Sequence, residues 1–85
     1  MPTKTVTVGS AVGLHARPAA IISEKVAELG TEITLAVPGG EPVDAASSLL
    51  IMTLGAANGD KVEVAGADQA AVDTVADLVA QDLDA

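Results

Sequence analysis

The chain has no cysteine and no Phe, Tyr or Trp among its 85 residues. Without thiols, disulfides, zinc–thiolate centres and cysteine nucleophiles drop out. Without aromatic rings there is nothing on which nucleic-acid bases could stack. Basic side chains are scarce too: 4 Lys and Arg stand against 12 Asp and Glu, a formal net charge of −8. Nucleic acid and anionic membranes are held through clustered Lys and Arg, so neither is expected as a partner. No apolar run approaches the ~20 residues that cross a bilayer, and the first residues do not have the basic-then-apolar layout of a signal peptide. No membrane insertion and a cytoplasmic address are therefore expected. There is no Gly-rich P-loop, and one His among scattered carboxylates does not make a metal site, so no cofactor is expected either.

What is present suits one small domain over residues 1–85. The 49% hydrophobic content can close a modest core. Nothing calls for a stable oligomer, and a monomer is expected.

Thr3 to Val8 alternates, with Val6 and Val8 on one face, which is the period of a half-buried strand. Gly9 to Gly13 reads as a loop. From Ala16 onward, Ala19, Ile22, Val26 and Leu29 recur at steps of three and four, the period of a buried helix face, with Ser23, Glu24, Lys25 and Glu28 elsewhere and Gly30 as the stop. Ile33, Leu35 and Val37 alternate again, Pro38-Gly39-Gly40 marks a turn, and Val43 belongs to a short return strand at an edge. Ser47 caps a helix of barely two turns that stops at Gly55. Asn58-Gly59-Asp60 is a turn, Val62 and Val64 alternate up to Gly66, and Asp68 caps a final helix with Val72, Val75, Ala76, Val79 and Leu83 as its apolar face. Asp73, Asp77 and Asp82 read as its wet side, and Asp82 and Asp84 sit unfavourably at the negative end of its dipole. The order βαββαβα predicts a two-layer α+β domain, with one antiparallel sheet covered by helices on a single face.

The informative stretch is Gly13-Leu14-His15-Ala16-Arg17-Pro18-Ala19-Ala20. Pro18 fits only in the first turn of a helix, where a missing N–H costs no intrahelical bond. Counting back makes Ala16, Arg17 and Pro18 the first helical residues and His15 the N-cap. A cap is usually Ser, Thr, Asp or Asn, whose acceptor meets the free amides of the first turn. The Nδ1 of histidine lies as many bonds from the backbone as the Oδ of Asn. The free amides and the positive end of the dipole favour a neutral ring there, and favour an anion attached to Nδ1 still more. Arg17 opposes the same dipole and is a poor choice for stability, yet its planar fork suits phosphate oxygens. On these residues alone two readings stand: an anion or phosphoryl site, or an adequate cap beside a solvated arginine.

In Ser47-Ser48-Leu49-Leu50-Ile51-Met52-Thr53-Leu54-Gly55, apolar residues go most of the way round a helix too short to bury them all. With Ile51 and Leu54 inward, Leu49, Met52 and Leu50 are left on the surface as a docking patch, and Met suits a surface that fits several partners; the alternative is a helix sunk deeper into the domain.

The first stretch, placed about a dozen residues into a chain of this size, resembles the active-site signature of the HPr family, the histidine-containing phosphocarriers of the bacterial phosphoenolpyruvate-dependent sugar phosphotransferase system. Ser47 to Gly55 is a second match, and length and element order agree across the chain. The resemblance implies an open-faced sandwich with a four-stranded antiparallel sheet and three helices on one face. It implies a protein that accepts a phosphoryl group on His15 Nδ1 from enzyme I and passes it to sugar-specific enzyme IIA domains, a phosphotransferase component rather than an independent enzyme. Ala16 and Arg17 would bind the phosphate, and Ala16, Ala20, Leu49 and Met52 would dock the partners. Ser47 matches a serine phosphorylated by a regulatory kinase in some members, which makes it a candidate regulatory site and adds regulatory proteins to the candidate partners. The chain departs from the family at Val12, where several members have a polar residue, at Ala46, where a basic one is common, and in the scarcity of cations near His15. The rival from another class is a small anion-binding regulatory domain without covalent phosphotransfer. A hydrolase fragment ranks last, since no nucleophile or orienting carboxylate can be assigned.

Overall fold

The computed structural model describes residues 2–83. The elements run β1 (Thr3–Thr7), α1 (Ala16–Leu29), β2 (Ile33–Ala36), β3 (Val43–Asp44), α2 (Ser48–Thr53), β4 (Lys61–Gly66) and α3 (Gln69–Ala80). The strands form one four-stranded sheet in the order β1-β4-β2-β3, with every pairing antiparallel. β1 and β2 therefore run parallel with a gap between them, which β4 fills. The predicted order and the open-faced α+β sandwich are both observed.

Alternation sorts the sheet's faces. Val6 pairs with Val62, and Val64 lies between Lys4 and Leu35, so these residues share the face beneath the helices. Thr3, Thr5 and Thr7 sit opposite Ala65, Glu63 and Lys61 on the other face. Val8, Ile22, Val26, Ile33, Leu35, Ile51, Val62, Val64, Val72, Val75 and Val79 are buried in one cluster. At ~1.5–3 kcal/mol for each large aliphatic side chain removed from water, this aromatic-free core drives folding with aliphatic residues alone.

Five details differ from expectation. β1 stops at Thr7, because the N–H of Val8 turns to the Asp60 carbonyl (2.9 Å) and its own carbonyl accepts from Gly59 (3.1 Å). Val37 leaves β2 to open a turn closed by Gly40 N–H to Val37 O at 2.9 Å. Ser23 is buried, since α1 packs against both α2 and α3, and its hydroxyl donates to Ala20 O at 3.1 Å. α3 ends at Ala80 with Gln81 extended at the C-cap, so Leu83 packs against the core from beyond the helix and Asp82 lies outside its last turn; Asp84 falls outside the described residues. Asp73, read as merely wet, accepts from Gln69 Nε2 at 2.9 Å and pairs with Lys4 at 3.8 Å.

Among the described residues no helix is long and apolar enough to cross a membrane.

Candidate functional site

His15 is the N-cap of α1, in extended conformation at φ −91° and ψ −163°. Its carbonyl accepts from Ala19 N–H at 2.9 Å, and its own N–H donates to Gly13 O at 3.0 Å. The side chain is exposed and makes no capping hydrogen bond. The N–H groups of Ala16 and Arg17 have no intrahelical acceptor by virtue of their place in the first turn, and Pro18 has no N–H at all. A pair of donors and the positive end of a 14-residue helix therefore lie next to His15 in the chain. Ala16, Arg17 and Ala20 are exposed, whereas Pro18 and Ala19 turn into the core.

The approach to His15 is anchored on the segment after α2. Leu14 is buried, and its N–H donates to Ala56 O at 2.9 Å. Gly13 holds φ +81°, in the left-handed region, with its Cα turned so closely toward Ala56 that a Cβ would stand 2.4 Å from that residue's carbonyl oxygen. The two stretches singled out in the sequence thus meet. Val12, Leu14, His15, Met52, Gly55, Ala56 and Ala57 line one open depression of about 300 Å³.

α2 presents the expected surface. Ile51 is buried and Leu54 packs at the core's edge, while Leu49 is 68%, Leu50 40% and Met52 36% exposed. Val12 joins them at 67%. The Ser47 hydroxyl accepts from Leu50 N at 3.3 Å, so capping alone accounts for this serine.

The few cations are engaged mostly away from the ring. Lys61 donates to Thr7 on the open face of the sheet (2.9 Å), Lys4 pairs with Asp73 on α3 (3.8 Å) and Lys25 with Glu28 (3.5 Å). Arg17 is the basic residue at the mouth of α1. Among the described residues no group of three or more His, Cys, Asp or Glu could hold a metal ion.

Sequence reasoning missed Ser10. It was read as plain loop, yet it is fully buried, donating to Gln81 O at 3.4 Å and accepting from Leu83 N–H at 3.3 Å. Nothing local signals this, because both partners lie about seventy residues away along the chain.

The model of the family described as the PTS HPr component phosphorylation site matches residues 2–81. The chain is similar to the phosphocarrier protein HPr of Streptomyces coelicolor, 40% identical over 87 residues that take in 99% of this chain and 94% of that one. It is similar in structure to HPr of Bacillus anthracis, with a TM-score of 0.84, 27% identity and coverage of 92% of this chain and 95% of that one. For HPr-C-His of Thermoanaerobacter tengcongensis the TM-score is 0.82, with 28% identity and 93% and 91% coverage. A solvent-facing histidine capping the first helix, the apolar second helix beside it and these full-length matches lead to one conclusion: the chain belongs to the HPr family of phosphotransferase-system phosphocarriers.

Proposed function

We propose that His15 carries the phosphoryl group on Nδ1, taking it from phosphorylated enzyme I and surrendering it to a histidine of a sugar-specific enzyme IIA domain. The observation that carries this reading is the exposed histidine at the N-cap of α1, where the first-turn amides and the positive end of the helix lie. In the first step the lone pair of neutral Nδ1 attacks phosphorus as the donor's nitrogen–phosphorus bond breaks. In the second the new bond breaks as the acceptor's nitrogen attacks, and the ring returns to neutral. The amides of Ala16 and Arg17 and the guanidinium of Arg17 steady the charge on the moving oxygens, since such transfers depend on positioning and electrostatics. Solvent exposure keeps the cargo within reach of both partners.

Docking falls to Ala16, Ala20, Leu49 and Met52, with Leu50 and Val12 extending the apolar surface around the ring. With so few cations near His15, apolar burial carries more of the docking than electrostatic steering does. Ser47 is a candidate regulatory phosphorylation site on the resemblance alone, and phosphate there would add charge at the edge of the docking patch. A cytoplasmic address goes with this role.

The test is incubation with phosphoenolpyruvate and enzyme I, followed by intact-mass analysis. An adduct of one phosphoryl group that acid removes and alkali spares is expected, abolished by His15→Ala and retained by Ser47→Ala. Saturable phosphate binding with no covalent adduct would instead make the chain an anion-binding regulatory domain.

A further inference from the structure

The loop that delivers His15 is held by one side chain that the sequence marks only as part of a turn. Three successive carbonyls, those of Val8, Gly9 and Ser10, converge on Asn58 Nδ2 at 3.4, 3.4 and 3.2 Å. An amide nitrogen has two hydrogens, so at least one of them is shared. Pointing consecutive carbonyls to one side sets the peptide planes between them, and the opposite side is tied down as well: Gly9 N–H donates to Val79 O at 3.0 Å.

The connection to the ring is a continuous series of hydrogen bonds. The Ser10 carbonyl has two lone pairs; one accepts from Asn58 and the other from Gly13 N–H at 3.0 Å. The Gly13 carbonyl in turn accepts from His15 N–H at 3.0 Å. Gly13 and Leu14 rest at the same time on Ala56, two residues before Asn58. The turn itself is stiffened by Asp60, whose Oδ2 accepts from Ala57 N–H at 2.9 Å. Segment 56–60 therefore grips the loop at both ends.

We infer that Asn58 is a positioning residue for phosphoryl transfer, aligning the His15 ring with the first-turn amides of α1 through Ser10 and Gly13. The inference rests on His15 as the phosphoryl acceptor. Asn58 acts through the loop backbone, to which its side-chain amide donates all three of these bonds. Because the docking residues Ala16, Ala20, Leu49 and Met52 lie on α1 and α2 rather than in the loop that Asn58 holds, its loss affects the transfer step more than partner binding.

The test uses the full chain carrying Asn58→Ala, which removes the donor, and Asn58→Asp, which keeps the shape but sets a carboxylate against three carbonyls. Two readouts apply. Nitrogen-15 NMR of the unphosphorylated protein reports the His15 ring and needs no partner, so it remains informative even if the wild-type chain takes up no phosphoryl group, a result that would sink the proposed function instead. Transfer kinetics with enzyme I are expected to show kcat lowered about ten- to a hundredfold with KM unchanged, the scale for a misplaced reacting group. The His15 ring resonances are expected to move in both variants. Ring signals and kcat like those of the wild type in the folded variants would overturn the inference. Loss of the folded state in both would overturn it too, by assigning Asn58 to the stability of the domain.

Discussion

Leu14 N–H donates to the Ala56 carbonyl at 2.9 Å, and that one bond joins the residue before His15 to the chain emerging from α2. It places His15 and the apolar second helix on one surface, where His15 and Met52 line the same depression.

Arg17 is costly where it stands, so its removal separates function from stability. Arg17→Ala is expected to leave folding unchanged or improve it by ~0.3–1 kcal/mol, by relieving a cation at the positive end of the helix dipole. Phosphoryl transfer onto His15 should slow by roughly ten- to a hundredfold, with Arg17→Lys restoring part of the rate as a point charge without the planar fork. Thermal unfolding and single-turnover transfer, measured on the same samples, check the opposed signs.

The exposed residues of α2 should contribute to docking and little to folding. Leu49→Asp is expected to raise KM for the phosphoryl donor by about tenfold, equivalent to roughly 1.4 kcal/mol, with kcat and Tm nearly unchanged. Ile51→Ala, one residue pair further round and fully buried, should instead cost ~2–5 kcal/mol of stability.

Transfer should depend only weakly on ionic strength. Charge-steered pairs lose rate steeply as salt shortens the screening length, whereas apolar docking does not. The check is the transfer rate between low and physiological salt; a steep fall would show that Arg17 steers the encounter after all.

Gly13 and Gly39 have nearly the same φ, +81° and +79°, but of the two only Gly13 has an obstacle in front of it. Gly39→Ala should cost only the conformational strain, on the order of 1 kcal/mol. Gly13→Ala adds the collision with the Ala56 carbonyl, and should unfold the chain at lower temperature and disturb the His15 ring signals as well. Denaturation curves of the two variants side by side measure the difference.

Ser47→Ala removes a cap and is expected to cost ~0.5–2 kcal/mol, visible as a lower Tm with the adduct at His15 retained. Ser47→Asp keeps a capping acceptor and adds charge beside the patch, so its effect should appear in KM rather than in Tm.

How much could be read from the chain alone depended on how local the cause was. Pro18 dictated where α1 begins, and with it the position of His15, because a ring without an N–H is admitted in only one turn of a helix. The surface of α2 was legible because a six-residue helix cannot hide four consecutive apolar residues on a single inward face. Ser23 was misread because a helix wheel shows one buried face, while α1 is covered from two sides by α2 and α3. Ser10 and Asn58 passed as ordinary loop and turn residues, since their partners are backbone atoms far away in sequence.

Periodicity, capping and turn chemistry act over a few residues, so the sequence by itself determined the seven elements, the histidine at the mouth of α1 and the apolar surplus of α2. The tertiary structure alone decided that His15 and α2 share a surface, that Gly13 must lie against Ala56, and that Asn58 gathers the carbonyls of Val8, Gly9 and Ser10. Those arrangements arise because β4 inserts between β1 and β2 and carries the preceding turn alongside the His15 loop. The bonds that result all end on peptide groups, which are the same in every residue type and so do not mark in the side-chain pattern where a partner will be found.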